Sequence, residues 1–195
     1  MSKALGAGLA AGLLVGLLGA MSAQAGQAAT AAAPAQVASA SVKGPGGADM
    51  GQARFVGGPN GVLVHVELKG LTPGWHGLHF HEKGDCSDPA FQSAGAHINH
   101  TEARPADKTQ HGFLNLTSTA LEFGDLPNVF ADPDGVAMAE IFSARVSIAG
   151  EPGRPALVDA DGSALVVHAS PDDYASQPIG GAGARVACGV IKAGP

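Results

Sequence analysis

Residues 57–69, GGPNGVLVHVELK, decide the fold class of this chain. Every even-numbered position from Val62 to Leu68 is apolar, whereas the odd-numbered positions between them include a histidine and a glutamate. This period of two is the repeat of a β-strand with one buried face. The preceding GGPNG supplies residues that tolerate positive φ, so the sequence predicts a hairpin between strands at Met50–Val56 and Val62–Lys69.

The rest of the chain repeats this pattern of short strands. Further apolar runs lie at 136–142, 163–169 and 185–191, and no long window after the first 25 residues has a convincing helical repeat. We therefore expect an all-β chain folded as an antiparallel sandwich or a closed barrel. Two stretches do not fit: residues 83–128, the first long loop, and residues 169–184, the second long loop. Long loops on a compact β scaffold are usually functional.

The N-terminal residues have the layout of an export signal. Residues 1–25 contain one lysine, an apolar run from Ala4 to Ala20 and the small-residue triplet Ala23-Gln24-Ala25, which is typical of a cleaved secretory signal. An uncleaved membrane anchor is the alternative, because the run approaches the length of a span. We expect residues 26–36 to be a flexible lead-in and residues 37–195 to form one domain, periplasmic or secreted.

Charge and cysteine content bound the function of the exported domain. Removal of the signal deletes Lys3 and no acidic residue, so the formal charge changes from −6 to −7. Such an acidic domain is a poor nucleic-acid binder, and we expect no stable membrane contact after cleavage. Cys86 and Cys188 are the only cysteines, and in an oxidising compartment a disulfide between them is the default, with two free thiols as the alternative.

Seven of the eight histidines gather around the two long loops and the strands that bound them. Within WHGLHFHEKGDC, residues 75–86, His79 and His81 are two apart, so on a strand they project from the same face and can bind one metal ion together. Two surface histidines are the alternative to a metal site. The remaining members of the group are His76, His97, His100, His111 and His168.

Six motifs then follow one another along the chain. They are GWHGLHFHEKGDC, AGAHIN, HGFLN, GDLPN, LVVHASPDD and GGAGARVACGVIK. In this order they closely resemble the exported bacterial copper/zinc superoxide dismutases, and the likeness covers the chain from about residue 37 onward. The resemblance implies an eight-stranded Greek-key β-barrel, copper and zinc ions as cofactors, and a disulfide between Cys86 and Cys188.

The resemblance also implies a role for each matching residue. The copper ligands would be His79, His81, His97 and His168. His97 would also bridge to zinc, with His111 and Asp125 as further zinc ligands. Asp172 matches a carboxylate that orients ligand imidazoles, Arg185 matches an arginine that attracts the substrate anion, and His76 matches a structural histidine.

One position departs from the family pattern. Where the family has another zinc-ligating histidine, three residues before Asp125, this chain has Glu122. A carboxylate can ligate zinc, so Glu122 is a candidate replacement for the imidazole. The alternatives are that His100 provides the fourth ligand, that water does so, or that the zinc site is weakened or empty.

The resemblance implies an enzyme that converts superoxide to dioxygen and hydrogen peroxide as copper cycles between Cu(II) and Cu(I). We expect His97 to carry the proton that peroxide formation needs, and Arg185 to provide a local positive field for the anion. The alternatives are an exported copper-binding or buffering protein without catalysis, and a structural metal protein. A homodimer is a candidate assembly.

Overall fold

Antiparallel β-structure dominates the computed structural model, which describes residues 36–98, 122–176 and 179–194. The described residues contain nine strands and two single-turn 3-10 helices, Pro45–Gly47 and Gln92–Ala94. The strands are β1 (Val37–Lys43), β2 (Asp49–Gly58), β3 (Gly61–Leu68), β4 (Gly74–His76), β5 (Leu78–His81), β6 (Val129–Ala131), β7 (Ala137–Ser143), β8 (Ser163–His168) and β9 (Arg185–Ala193).

The strands form a sheet that curls toward closure. Seven of them hydrogen-bond in the order β5-β8-β9-β1-β2-β3-β7, and β4 pairs with β6. Only Gly77 separates β4 from β5, and β6 contacts β7, so the β4–β6 pair connects the two edges of the larger sheet. The predicted all-β barrel is confirmed, and the strand count is the expected eight when β4 and β5 are taken as one strand that bends at Gly77.

The predicted hairpin joins β2 and β3. Its register pairs Val56 with Leu63 and Gly58 with Gly61, so both strands extend slightly beyond the predicted limits at the turn. Gly61 has a φ of 148°, and a Cβ atom there would overlap the carbonyl oxygen of Ser143 on β7. The glycine therefore serves both the turn and the close approach of the neighbouring strand.

The inner face of the barrel holds the core. Val62, Val64 and Val66 on β3 are buried as their alternation predicts, and the rings of Phe55 and Phe80 pack across the interior with centroids 6.0 Å apart. The sequence reading missed β1 and β6. The inward positions of β1 include two alanines, which carry little hydrophobic signal, and β6 has only three residues.

The disulfide joins the first long loop to the last strand. Cys86 and Cys188 are bonded, with their Cα atoms 5.8 Å apart, so the predicted disulfide is confirmed. The bond closes a loop across a sequence separation of 102 residues, which on a chain-entropy estimate stabilises the fold by at most about 4 to 5 kcal/mol.

The predicted signal, residues 1–25, and almost all of the predicted lead-in lie outside the described residues. Within the ranges 36–98, 122–176 and 179–194, none of the helices has the length and hydropathy required to cross a bilayer.

Candidate metal centre

Four histidines converge on one point in the barrel wall. His79 and His81 lie on β5, whose four residues are all buried, and β5 pairs with β8, which ends at His168. His97 lies in the first long loop, where its backbone forms a bridge with that of His81. The adjacent β-strands and this bridge therefore bring together rings that are up to 89 positions apart in sequence, from His79 to His168.

One potential ligand nitrogen from each of His79, His81, His97 and His168 lies within 4.8 Å of the others. We call this group the four-histidine cluster. All four side chains are buried, and the ring centroids of His79 and His97 are only 4.0 Å apart. A single ion can therefore be reached by all four rings, which is the arrangement expected for an imidazole-ligated transition metal.

Hydrogen bonds orient three of these rings from outside the cluster. His79 Nε2 lies 2.7 Å from Asp172 Oδ2, His81 Nδ1 lies 2.9 Å from the Gly95 carbonyl oxygen, and His168 Nδ1 lies 3.1 Å from the Gly183 carbonyl oxygen. Each acceptor takes a ring N–H, so the lone pair belongs to the second nitrogen of the same ring. Asp172 therefore contacts the His79 ring, and its expected role in orienting ligand imidazoles stays a prediction.

The remaining nitrogens meet the test for a metal ligand. Among the described residues, His81 Nε2 and His168 Nε2 are buried and have no hydrogen-bond partner. A buried polar atom without a partner costs free energy, and a bound cation would satisfy both lone pairs at once. The donor set is made of imidazole nitrogens, which suit copper.

Burial also keeps the cluster in the protonation state that binds metal. Loss of hydration lowers the pKa of His79 to about 3 and that of His168 to about 4. The pKa of His81 is lowered as well, again chiefly by burial. Neutral imidazole is the form that donates a lone pair to a metal ion, so these rings are ready to bind near neutral pH.

A second cluster adjoins the first. His97 Nδ1 lies 2.9 Å from Glu122 Oε2 and 3.2 Å from Asp125 Oδ1, and all three side chains are buried. Burial disfavours a charged His97, but the hydrogen bonds to Asp125 and Glu122 and the charges of both carboxylates outweigh it and raise the pKa of this ring. We call this group the histidine–carboxylate cluster, and His97 is the residue common to both clusters.

The structure places Glu122 directly in this second cluster. The carboxylate at the position that departs from the family pattern therefore faces His97 together with Asp125. The two other predicted zinc-site candidates, His100 and His111, lie outside the described residues.

His76 belongs to neither cluster. Its ring nitrogens lie 2.7 Å from the carbonyl oxygens of His168 and Thr72, so the buried ring connects β4 to the end of β8. His65 is half-buried on β3, where its Nδ1 lies 3.2 Å from Glu140 Oε2. Neither of these histidines is placed to ligate the ion that the four-histidine cluster could hold.

Arg185 lies beside the four-histidine cluster at the start of β9. Its Nη1 donates to the Phe91 carbonyl oxygen and its Nη2 to the Gly95 carbonyl oxygen, each at 2.6 Å. The Gly95 carbonyl also accepts the His81 Nδ1–H, so one backbone oxygen holds both the guanidinium and a cluster ring. Sequence reasoning missed Gly95 because its contribution is a carbonyl group, which every residue type carries.

The barrel and its two buried clusters define a β-barrel metalloprotein with a paired metal centre. The family model described as copper/zinc superoxide dismutase (SODC) matches residues 49–191, which is most of the chain. The chain therefore belongs to the copper/zinc superoxide dismutase family, and it is an oxidoreductase whose cofactors are copper and zinc. The resemblance seen in the six sequence motifs is confirmed.

Individual relatives agree with this assignment. The chain is 61% identical over 155 residues to a Cu-Zn superoxide dismutase from Caulobacter vibrioides, which covers 80% of this chain and 85% of the relative. It is similar in structure to a superoxide dismutase-like protein from Bacillus subtilis, with a TM-score of 0.67 and 30% identity. The match covers 78% of this chain and 96% of the Bacillus chain. It is also similar to the Cu/Zn superoxide dismutase from Brucella abortus, with a TM-score of 0.60 and 28% identity. That match covers 80% of this chain and 99% of the Brucella chain.

The protonation states of the cluster can be tested directly. In the metal-free protein at about pH 5, we expect neutral rings at His79 and His168 and a protonated ring at His97, as read from the ¹⁵N shifts of the imidazoles.

Unfolded histidine binds a proton near pH 6.5, whereas His79 and His168 bind one only at pKa values of about 3 and 4. The unfolded chain therefore takes up more protons as the pH falls, so these two rings make the metal-free protein less stable below about pH 6.5.

His65→Gln is the matched control, because it removes a half-buried histidine that lies outside both clusters. This variant should leave the ring shifts of the other histidines unchanged. A protonated His79 or His168 in the folded protein at that pH would contradict the prediction.

Proposed function

We propose that the chain converts superoxide to dioxygen and hydrogen peroxide with a copper ion held by His79, His81, His97 and His168. The observation that carries the proposal is the convergence of four buried imidazole nitrogens within 4.8 Å of one another. When bound, copper supplies the one-electron chemistry by cycling between Cu(II) and Cu(I), which zinc cannot do.

His97 holds the proton that peroxide formation requires. Its Nδ1 faces the carboxylates of Glu122 and Asp125, which leaves Nε2 for the four-histidine cluster. The two carboxylates favour a protonated His97 even though the ring is buried. Nε2 would hold either the copper ion or a proton, so when the ring is not bound to the ion its proton would be in reach of an oxygen anion beside the cluster, and His97 would act as a general acid.

Arg185 attracts and orients superoxide. The mature domain has a formal charge of about −7, so capture of an anion needs a local positive field near the metal. The guanidinium is held by two neutral carbonyl oxygens, and it takes part in none of the ion pairs found among the described residues. Asp88 acts on the guanidinium electrostatically, but no ion pair joins the two among the described residues, so the guanidinium remains available to an incoming anion.

Metal analysis combined with a superoxide-decay assay tests this proposal on the purified mature protein. We expect bound copper and rapid decay of superoxide in the wild type. Arg185→Ala should retain its copper and slow the decay by about tenfold or more, because electrostatic guidance contributes on that scale. The rate of superoxide decay in Arg185→Lys should lie between those of the wild type and Arg185→Ala, since lysine keeps the charge and loses the paired hydrogen bonds to the carbonyls.

Lys192→Ala is the matched control, because Lys192 is an exposed cation on the same strand. Its removal should leave the rate close to that of the wild type. Copper bound without any decay of superoxide would overturn the proposal and support the alternative of a copper-binding or buffering protein. Equal rates for wild type and Arg185→Ala would remove the anion-guiding role.

The second metal ion, zinc, is held by His97, Asp125, His111 and Glu122 in our proposal. The buried carboxylate of Glu122, 2.9 Å from His97 Nδ1, supports its role as the ligand that replaces a family histidine. Histidine nitrogens and carboxylate oxygens are both ordinary zinc ligands. The second carboxylate also adds a negative charge that helps to offset the charge of the cation.

Replacement of Glu122 by an uncharged residue tests the zinc ligand. Glu122→Gln should lower the zinc content per chain well below the copper content, because one anionic ligand is lost while the four-histidine cluster is intact. Element analysis after dialysis against equal free metal measures both contents. His100→Ala and Glu140→Gln, the latter at an exposed carboxylate on β7, should leave zinc unchanged. Unchanged zinc in Glu122→Gln with loss in His100→Ala would transfer the role to His100.

The proposed location of the enzyme is the periplasm or the extracellular space. Residues 1–25 are the cleaved signal, residues 26–36 the lead-in and residues 37–195 the dismutase domain. The disulfide between Cys86 and Cys188 supports this proposal, because such bonds persist in oxidising compartments outside the cytoplasm. No stable membrane contact is needed after cleavage.

A homodimer is our proposed assembly, and an apolar surface on the barrel supports it. Trp75 on β4 lies opposite Phe130 on β6, with the two rings packed edge to face, and Met138 and Phe142 project from β7, which β6 contacts. The exposed fractions of these four side chains lie between 52% and 74%. An exposed aromatic group of this kind is typical of a surface that binds another protein, and a second copy is the partner that is always present.

A charge placed in this surface tests the dimer. We expect the wild type to sediment as a dimer and Phe142→Glu to sediment as a monomer, because a carboxylate buried in an apolar interface has no partner. Arg54→Glu, at an exposed position on β2, is the control and should remain dimeric. A wild type that sediments as a monomer at all concentrations would contradict the proposal.

A further inference from the structure

Asn128, the last residue of the first long loop, contacts the second long loop through its whole amide group. Its Oδ1 accepts the Asp172 N–H at 2.8 Å, and its Nδ2 donates to the Asp172 carbonyl oxygen at 2.9 Å. An amide flip would place the amide nitrogen against a donor and the oxygen against an acceptor, so only one orientation satisfies both bonds. The side chain thus fixes the backbone of Asp172 on both its N–H and its C=O side.

Tyr174 completes this arrangement from the other direction. Its backbone N–H donates to Asp172 Oδ1 at 2.6 Å, and its hydroxyl oxygen accepts the Asn128 N–H at 2.7 Å. Tyr174 has a φ of 57°, a left-handed conformation that a bulky residue adopts only at a cost in free energy. In this conformation Tyr174 makes both bonds, one through its backbone N–H and one through its hydroxyl group.

These contacts fix the orientation of the Asp172 carboxylate. Tyr174 occupies Oδ1, so Oδ2 is the oxygen that accepts the His79 Nε2–H, at 2.7 Å. The side chains of Asp172 and His79 are both fully buried. With its backbone held by Asn128 and one oxygen held by Tyr174, the carboxylate has one orientation in which to meet the imidazole.

We infer that Asn128 and Tyr174 form a clamp that positions Asp172, and through it the ring of His79, for metal binding. The inference rests on the proposed role of His79 as a copper ligand. Asn128 and Tyr174 are positioning residues: they contact Asp172, and Asp172 contacts the ring. The clamp also joins the end of the first long loop, which carries Asp125, to the second long loop. It therefore fixes the positions of these two loops relative to each other.

Exchange of the histidine ring protons with solvent tests the clamp. We expect the His79 Nε2–H to exchange about tenfold faster in Asn128→Ala than in the wild type, because its acceptor is no longer held in place. The Nδ1–H protons of His81 and His168, which bond to other acceptors, should change by less than about twofold. Nitrogen-15 NMR of the diamagnetic Cu(I) and zinc-loaded protein, and of the metal-free protein, resolves the three protons.

Further variants separate positioning from general loosening. Tyr174→Phe keeps the backbone bond to Asp172 and loses the phenol, so it should accelerate exchange at His79 in the same direction but by less. Asn128→Asp sets a carboxylate oxygen against the Asp172 carbonyl and should resemble Asn128→Ala. Copper affinity should fall by about 10-fold to 100-fold in Asn128→Ala, the range for lost outer-shell partners. Gln52→Ala, which removes an exposed amide bonded to Glu67, is the control.

Unchanged exchange at His79 in Asn128→Ala and Tyr174→Phe would overturn the inference. Equal acceleration of all three ring protons would also overturn it, since that result reports a destabilised protein. If Asn128→Ala does not fold, Tyr174→Phe decides the question. Failure of the proposed function is distinguishable, because a chain that binds no copper still reports the clamp through the ring protons of its metal-free form.

Discussion

The structure depends on how buried imidazole rings are satisfied. Each ring of His79, His81 and His168 has one N–H bonded to an acceptor outside the four-histidine cluster, and its second nitrogen is left to the cluster. This division fixes the tautomer, the direction of the lone pair and the neutral state together. A buried nitrogen without a partner costs free energy, and a bound cation would satisfy the Nε2 atoms of both His81 and His168.

The carbonyl groups that accept hydrogen bonds from the cluster rings also connect the metal site to the proposed anion guide. The Gly95 carbonyl holds both the His81 ring and the Arg185 guanidinium, so the proposed metal ligand and the proposed anion guide share one backbone group. The disulfide at Cys86 attaches the same loop to β9, the strand on which Arg185 lies. Displacement of this loop would therefore affect the metal cluster and the substrate path at the same time.

The histidine–carboxylate cluster differs from the four-histidine cluster in charge. Two buried carboxylates face one nitrogen of His97 and favour protonation of its ring. His97 is common to both clusters, so in our proposal it is the ring that takes part in both proton transfer and metal binding. Glu122, which departs from the family pattern, increases this electrostatic effect on His97, whereas burial keeps the rings of His79, His81 and His168 neutral.

Much of the fold and site could be predicted because the relevant signals are local. The alternation at Val62–Leu68 and the glycine-rich turn before it specify the β2–β3 hairpin, and the spacing of His79 and His81 places two rings on one face of a strand. Strands β1 and β6 escaped prediction because the small residues of β1 and the three-residue length of β6 carry little hydrophobic signal. The supporting carbonyls escaped it because a backbone group leaves no trace in residue type.

The sequence by itself determined the β class, the six family motifs and the residue types available for chemistry, because periodicity and composition are properties of neighbouring positions. Only the tertiary structure decided that Glu122 faces His97, that Gly95 serves two side chains, and that Asn128 and Tyr174 hold Asp172. Except for the local bond between Tyr174 and Asp172, these contacts join segments that are distant along the chain. Their distances depend on how the barrel closes and on how its loops return across it.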